Sequence, residues 1–243
     1  MAARKRKDES LPWWVKYLAL VAAVAAIGAA ILYAPGDAAG RTTANSMLAE
    51  TVMIYNDSGH GSGVIVGPHV VLTAGHVGKM LDVSSGGQIK FSDGKSVPAH
   101  TLWIAETADV ALVSIDDGSD HSARVAGVAC RAPVAGEPIT LAGNPLVIDQ
   151  ALTFGHVASS TSLSTFPLHP QDIDAETLQF FHTHWALDIA AAQGNSGGPI
   201  FDANGDVIGI LAAGLVHEGA SGLREFSSFV LMIPSSIFCG MRF

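Results

Sequence analysis

The sequence predicts an all-β protein in which two six-stranded antiparallel β-barrels follow an N-terminal transmembrane helix. An uncharged apolar run near the N-terminus predicts the helix. Twelve short β-rich runs follow between residues 51 and 233, and Gly, Pro, Asn and Asp separate them as turns. Strands at this spacing are typical of barrels and sandwiches rather than of alternating strand–helix units.

The N-terminal segment has the charge order of a membrane anchor. Residues 1–12 hold a basic cluster, and the run from Tyr17 to Tyr33 has 17 residues without a charge. As a helix this run would be ~26 Å long, close to the ~30 Å hydrocarbon core of a bilayer. We predict a basic cytoplasmic tail at 1–12 and a transmembrane anchor at 13–35, with the rest of the chain on the periplasmic or extracellular side. The alternative is a cleaved signal peptide, after which the remainder would be secreted.

One domain is expected at 45–243, after a linker at 36–44. A connection rich in Gly, Pro and Ala, at about 116–137, separates the β-rich runs into two groups of about six. This division predicts a first barrel at about 45–116 and a second at about 137–237. No helical period of useful length is found after Gly40.

Charge and cysteine content exclude some classes of protein and leave others open. The chain carries 13 Lys and Arg against 22 Asp and Glu, a formal net charge of −9. Because nonspecific nucleic-acid binding needs an excess of basic residues, we expect no nucleic-acid partner. Cys130 and Cys239 are far apart and fit no recognisable disulfide framework, so two free thiols are favoured over a disulfide.

Three segments carry residues suited to nucleophilic catalysis. His76 directly follows a hydrophobic run, Asp109 opens another, and Ser196 lies in the glycine-rich segment Gly194–Pro199. A serine hydroxyl needs a base within hydrogen-bond reach, and a neutral His76 would supply it. Asp109 would hold the second imidazole nitrogen, and the backbone N–H groups of Gly194 and Ser196 would form an oxyanion hole. We therefore predict His76, Asp109 and Ser196 as catalytic and Gly194, Asn195 and Ser196 as the oxyanion hole.

These motifs resemble those of the chymotrypsin-like (trypsin-fold) serine proteases, most of all the bacterial HtrA/Deg branch. The segment from Asp188 to Ile200 is similar to that branch's nucleophile stretch, and Gly61–Val66 and Ile233–Ser235 also fit it. The resemblance covers roughly residues 45–237 and implies a double β-barrel with a serine endopeptidase mechanism that needs no cofactor. It implies protein or peptide substrates. The sequence does not indicate an oligomer. We expect no PDZ domain after the last strand, unlike most relatives in that branch.

The resemblance also predicts a substrate pocket. In this fold the residue six positions before the nucleophile lies at the pocket base, and here it is Ala190. The predicted lining is Ala190, Leu211, Ala212, Ala213 and Gly214, which contains no carboxylate to bind Lys or Arg. Small to medium aliphatic side chains are therefore expected before the scissile bond.

Other functions fit the sequence less well than a peptidase does. A catalytically silent protein of the same fold could bind peptides or act as a scaffold at the membrane, but the three catalytic residue types are intact. An α/β-hydrolase would need an Asp and a His after the serine. It would also need alternating strands and helices, and the sequence shows no such alternation. His182 and His184 share one face of a predicted strand, but no third ligand completes a tetrahedral site, so no metal is predicted.

Overall fold

The computed structural model describes residues 38–83, 86–159, 184–218 and 224–239. The predicted basic tail at 1–12 and transmembrane anchor at 13–35 lie outside these residues. No helix in the described part of the chain is long and apolar enough to cross a membrane. The described residues are mostly β-structure, as the sequence predicts.

Two helices longer than a single turn were not predicted. Helix α1 spans Ala38–Glu50 and helix α2 spans Gly75–Val83, so the expectation of no useful helix after Gly40 is wrong. Part of the segment interpreted as a linker, at 36–44, is the first half of α1. The apolar pattern of α1 is weak, and one side chain, Met47, joins the core with 6% exposure. Such a helix depends on tertiary packing more than on its own periodicity, which explains why the sequence did not reveal it.

The first half of the domain is a seven-stranded antiparallel sheet. Its strands in chain order are β1 (Thr51–Asn56), β2 (Gly59–Gly67), β3 (Val70–Ala74), β4 (Gln88–Lys90), β5 (Ser96–Pro98), β6 (Thr101–Ala105) and β7 (Val110–Ser114). They lie in the order β5-β4-β1-β2-β3-β7-β6.

This sheet is not the closed six-stranded barrel that was predicted. The chain leaves the ladder at Ala99 and His100, which separates β5 from β6. These two strands pair with β4 and β7 respectively and form opposite edges of the sheet. Within the described residues they are not paired with each other, so the sheet stays open.

The second half is a closed six-stranded antiparallel barrel, as predicted. Its strands are β8 (Pro138–Gly143), β9 (Ala151–Val157), β10 (Trp185–Asp188), β11 (Pro199–Phe201), β12 (Val207–Glu218) and β13 (Arg224–Pro234). They close in the order β10-β13-β12-β11-β8-β9. The short helix α3 (Ser235–Phe238) follows the last strand.

Three clusters of buried apolar side chains hold the domain together. One lies within the first sheet and one within the barrel. The third joins both halves, with Val64 and Leu72 from the sheet packed in the same cluster as Phe201 and Ile210 from the barrel. Because this cluster is shared, the sheet and the barrel bury apolar surface against each other, which fixes the distance between groups on the two halves.

A disulfide between Cys130 and Cys239 corrects the expectation of two free thiols. It ties the connection between the two halves to the residue that follows α3, across 109 positions of sequence. The buried Ser235 hydroxyl donates to the Ala129 carbonyl oxygen at 2.6 Å, which already holds α3 beside Cys130. Tertiary packing therefore brings the two cysteines together, and nothing in their sequence spacing could indicate it.

Loss of this disulfide should destabilise the domain. A cross-link between distant residues restricts the unfolded chain and typically contributes about 2–4 kcal/mol. We expect the double variant Cys130→Ser/Cys239→Ser to lose about that much free energy of unfolding in urea. Reduction of the wild-type protein should reproduce this loss, and a reductant should leave the double variant unchanged. Equal midpoints for the oxidised and the reduced wild type would contradict the prediction.

Glu50, the last residue of α1, is a half-buried carboxyl group whose Oε2 atom has no hydrogen-bond partner among the described residues. Burial and, to a smaller extent, the nearby charge of Asp206 together raise the pKa of Glu50 to about 7. The protonated form is therefore favoured in the folded state. Its contribution to stability is complete below the unfolded pKa of about 4.5 and is lost as the pH rises through about 7.

We expect the Glu50→Gln variant to remove this part of the pH dependence. The wild type should lose stability relative to Glu50→Gln as the pH is raised from about 5 to about 8, because only the wild type must ionise a buried carboxyl group. Urea unfolding at several pH values measures the difference. Glu106→Gln is the matched control, because the Glu106 side chain is 73% exposed. A constant difference between wild type and Glu50→Gln across this range would refute the prediction.

Candidate active site

His76 is the second residue of α2, which begins directly where β3 ends. This junction requires a close approach to Asp109, since the Gly75 N–H donates to the Asp109 carbonyl oxygen at 2.8 Å. A Cβ on residue 75 would lie 2.9 Å from the Asp109 carboxylate, so glycine is needed here. The His76 backbone N–H donates to Asp109 Oδ1 at 2.8 Å, which fixes the start of the helix against the aspartate.

Asp109 sits between a single 3₁₀ turn at Glu106–Ala108 and strand β7. Its backbone is left-handed, with φ 51° and ψ 45°, a conformation that Asp and Asn adopt more readily than most residues. The carboxylate oxygens lie 3.0 and 3.2 Å from His76 Nδ1. A neutral imidazole that donates from Nδ1 carries its lone pair on Nε2, so His76 is held in the tautomer that a general base requires.

The loop between β10 and β11 presents Ser196. Gly194 and Gly197 have φ values of +97° and +80°, which side-chain-bearing residues rarely adopt. The Ser196 carbonyl oxygen accepts the Ser62 N–H of β2 at 2.8 Å, and the Gly197 N–H donates to the Leu211 carbonyl oxygen of β12 at 2.7 Å. The loop is therefore held from both halves of the domain.

The Ser196 hydroxyl has one hydrogen bond in the described part of the chain, a long bond of 3.5 Å to the Ala212 carbonyl oxygen. It makes none to His76 there. Catalytic hydrogen bonds are often loose in structures without substrate and tighten in the complex. The absence of this bond among the described residues is therefore compatible with a catalytic pair.

Backbone N–H groups near Ser196 differ in whether they are paired. The Asn195 N–H donates to the Ala192 carbonyl oxygen at 3.1 Å. Within the described residues, the N–H groups of Gly194 and Ser196 donate to no other atom. These two amides are available for a substrate oxygen, whereas the amide of Asn195, the third residue predicted for the oxyanion hole, is bonded to Ala192.

A cavity of about 550 Å³ opens beside Ser196. Among the described residues its lining is Leu146, Ala191, Ala192, Gln193, Ser196, Leu211, Gly214 and Val230, none of them charged. Leu211 and Gly214 were predicted. Leu146 and Val230 were missed, because they come from a loop and a strand far from the serine in sequence and no motif marks them.

Three predicted pocket residues lie elsewhere. Ala190 lines a different cavity of about 440 Å³, and its neighbour Ala191 takes the place beside Ser196. Ala212 is 1% exposed and belongs to the core shared by both halves, and Ala213 packs against that core. The residue six positions before Ser196 thus lies outside the described lining of the cavity beside Ser196, and the residue five positions before it lies within that lining.

Of the two histidines considered as metal ligands, His182 lies outside the described residues and His184 is buried. Among the described residues, no group of three or more metal-ligating side chains is present.

The model of one family, the trypsin-like peptidase domain, matches residues 61–210. The chain belongs to this family. The match includes His76, Asp109 and Ser196 and both halves of the domain.

Two curated bacterial relatives are serine proteases. The putative serine protease HhoA of Synechocystis is 30% identical over 168 residues, which cover 68% of this chain and 39% of the relative. The serine protease Do-like HtrA of Bacillus subtilis is 26% identical over 174 residues, 69% of this chain and 36% of the relative. The chain thus spans well under half the length of these relatives.

Solved structures share the fold. A serine endoprotease from Yersinia pestis superposes with a TM-score of 0.62 at 21% identity, covering 81% of this chain and 64% of that one. The inactive form of the Rv3671c protease, from Mycobacterium tuberculosis, superposes with a TM-score of 0.62 at 18% identity, covering 82% and 90%. Both support the two-part β architecture.

Proposed function

We propose that this protein is a serine endopeptidase with His76, Asp109 and Ser196 as its catalytic residues. The observation that carries the proposal is the pair of hydrogen bonds between His76 Nδ1 and the Asp109 carboxylate, at 3.0 and 3.2 Å. They leave the Nε2 lone pair of His76 free to accept a proton. Membership of the trypsin-like peptidase family supports the same assignment.

The reaction would proceed through an acyl-enzyme. Ser196 Oγ attacks the substrate carbonyl carbon while His76 Nε2 accepts the hydroxyl proton, and Asp109 stabilises the resulting imidazolium. The N–H groups of Gly194 and Ser196 donate to the oxyanion of the tetrahedral intermediate. His76 then gives its proton to the leaving amine, and a water activated by His76 hydrolyses the ester.

The cavity beside Ser196 supports a preference for small to medium aliphatic side chains before the scissile bond. Its walls are mostly alanine, leucine and valine, and the lining residues that the structure describes include no carboxylate for Lys or Arg. Apolar walls gain from excluding water around an apolar side chain, whereas a charged side chain would lose its hydration without a partner.

We further propose that the domain acts on the exported side of a membrane, with residues 13–35 as an anchor or signal. The disulfide supports export, because disulfides persist mainly in oxidising compartments outside the cytoplasm. Its substrates would then be exported or extracellular proteins and peptides.

A catalytically silent scaffold is the second candidate. The hydrogen bond from Ser196 Oγ to Ala212, rather than to His76, is the observation that favours it. A silent protein would keep the cleft and bind peptides without cleaving them.

Labelling with a fluorophosphonate separates these two candidates. We expect the full-length wild type in membranes to be labelled at Ser196, and Ser196→Ala and His76→Ala to lose labelling, because only an activated serine reacts with the probe. Asp109→Asn should slow labelling by orders of magnitude, because an amide cannot hold the same tautomer of His76. His69→Ala is the control, because it removes a histidine outside the proposed catalytic residues and should keep wild-type labelling. A folded wild type that stays unlabelled would favour the scaffold.

A peptide library tests the pocket. We expect cleavage mainly after Ala, Val and Leu, measured by mass spectrometry of the products. Enlarging the wall with Ala191→Leu should shift cleavage towards smaller residues, since the added side chain takes up part of the cavity. Ala190→Leu is the matched control and should leave the profile unchanged. A profile dominated by Arg, Lys or Glu would refute the assignment of the pocket.

A further inference from the structure

A buried polar network connects the first sheet to the loop that carries Ser196. At its centre are Asn144, directly after β8 and 1% exposed, and Ser62 of β2, 0% exposed. Neither residue belongs to the proposed catalytic set. In the sequence, Gly143-Asn144-Pro145 signals a turn and nothing more.

The hydroxyl of Ser62 has every hydrogen-bonding position occupied. It accepts from the Asn144 backbone N–H at 2.9 Å and from Asn144 Nδ2 at 3.2 Å. A hydroxyl has two lone pairs and one hydrogen, so its hydrogen is left for a single acceptor. That acceptor is the Gly194 carbonyl oxygen at 2.7 Å. Asn144 therefore determines which way the Ser62 hydroxyl points.

This bond sets the plane of the peptide between Gly194 and Asn195. Because a trans peptide holds its C=O and N–H in opposite directions, a Gly194 oxygen turned to Ser62 turns the Asn195 N–H away from it. The Asn195 N–H indeed donates to Ala192, on the inside of the loop. In the part of the chain that the structure describes, the Ser196 N–H donates to no acceptor.

The orientation of the preceding peptide, between Gln193 and Gly194, is fixed by the turn that follows Asn144. The Leu146 N–H donates to the Gln193 carbonyl oxygen at 2.7 Å, which by the same planarity directs the Gly194 N–H away from Leu146. Leu146 has a φ of +54°, so the turn that presents its N–H is strained. Asn144 Oδ1 closes this turn by accepting the Gln150 N–H at 3.0 Å.

We infer that Asn144 is the positioning residue of the oxyanion hole, acting through Ser62 on one peptide of the loop and through the turn at Leu146 on the other. It touches no substrate. It orients the two N–H groups that the proposed function assigns to the oxyanion, and the inference rests on that function. Asn144 Nδ2 also donates to the Val52 carbonyl oxygen of β1 at 3.2 Å, which anchors the amide to the first sheet.

The isosteric variant Asn144→Asp tests this role. A carboxylate cannot donate, so the Ser62 hydroxyl would turn its hydrogen towards the new carboxylate and release the Gly194 oxygen. We expect kcat to fall about 10²-fold with KM unchanged, as for the loss of one oxyanion donor. The matched control is Asn56→Asp, because Asn56 Nδ2 likewise donates to a backbone carbonyl, that of Met80 at 2.7 Å. It should keep wild-type kcat.

Amide hydrogen exchange measured by NMR gives a second readout that does not depend on activity. In Asn144→Asp the Asn195 amide should exchange faster than in the wild type, while amides of the barrel strands remain protected. If the wild type hydrolyses no peptide, the proposed function fails, and the Asn195 amide alone decides the positioning role.

The inference is overturned if folded Asn144→Asp keeps kcat within about threefold and keeps the Asn195 amide protected. A loss of activity that only follows the unfolded fraction, with normal kcat per folded molecule, also overturns it. If Asn144→Asp does not fold, Ser62→Ala carries both measurements, since it removes the donor to Gly194 directly. The expected results for Ser62→Ala are the same.

Discussion

Ser62 holds the loop of one half of the domain from a strand of the other half. Its N–H donates to the Ser196 carbonyl oxygen at 2.8 Å and its hydroxyl to the Gly194 carbonyl oxygen at 2.7 Å. The residues proposed for catalysis come from both halves, since His76 and Asp109 belong to the first half and Ser196 to a loop of the barrel. Their relative position therefore depends on contacts that cross between the two. The shared apolar core holds the two halves against each other, and the hydrogen bonds of Ser62 orient the loop that carries Ser196.

A second constraint acts within the first half. The backbone of Asp109 is left-handed, and its carboxylate accepts from both the backbone N–H and the ring nitrogen of His76. One side chain thus fixes where α2 begins and how the imidazole is turned. These hydrogen bonds, together with the one from the Gly75 N–H to the Asp109 carbonyl oxygen, offset the strain at Asp109. Strained residues that persist in this way are typical of functional sites.

Much of the architecture was predictable because strands have a short-range signal. Alternating apolar residues and turn residues marked the β-rich runs, and the polar connection marked the division into two halves. The closed barrel agrees with that prediction. The open sheet does not agree with the prediction. The break at Ala99 and His100 separates β5 from β6 but does not interrupt the β-rich pattern of the sequence. The helices α1 and α2 were missed for a similar reason, since each is short and is stabilised by what it packs against.

For the same physical reason, the sequence predicts some residues of the site well and others poorly. Ser196 and its flanking glycines stand together in the chain, and the glycines are required by local backbone angles, so a motif could reveal them. The cavity beside Ser196 is built from Leu146, Leu211 and Val230, which meet only when the barrel closes. Counting six residues back from Ser196 therefore selected Ala190 rather than Ala191. The disulfide between Cys130 and Cys239 likewise depends on where α3 packs.

By itself the sequence determined the family, the β-rich architecture and the residue types available for nucleophilic catalysis, because each depends on neighbouring residues and their local periodicity. The tertiary structure alone decided which backbone amides are free near Ser196, which residues line the cavity, and that Asn144 and Ser62 orient the loop. These features depend on the direction of hydrogen bonds between segments as far apart as Ser62 and Gly194, 132 positions in the chain. Such directions are set by packing of the whole domain, which no local pattern in a sequence records.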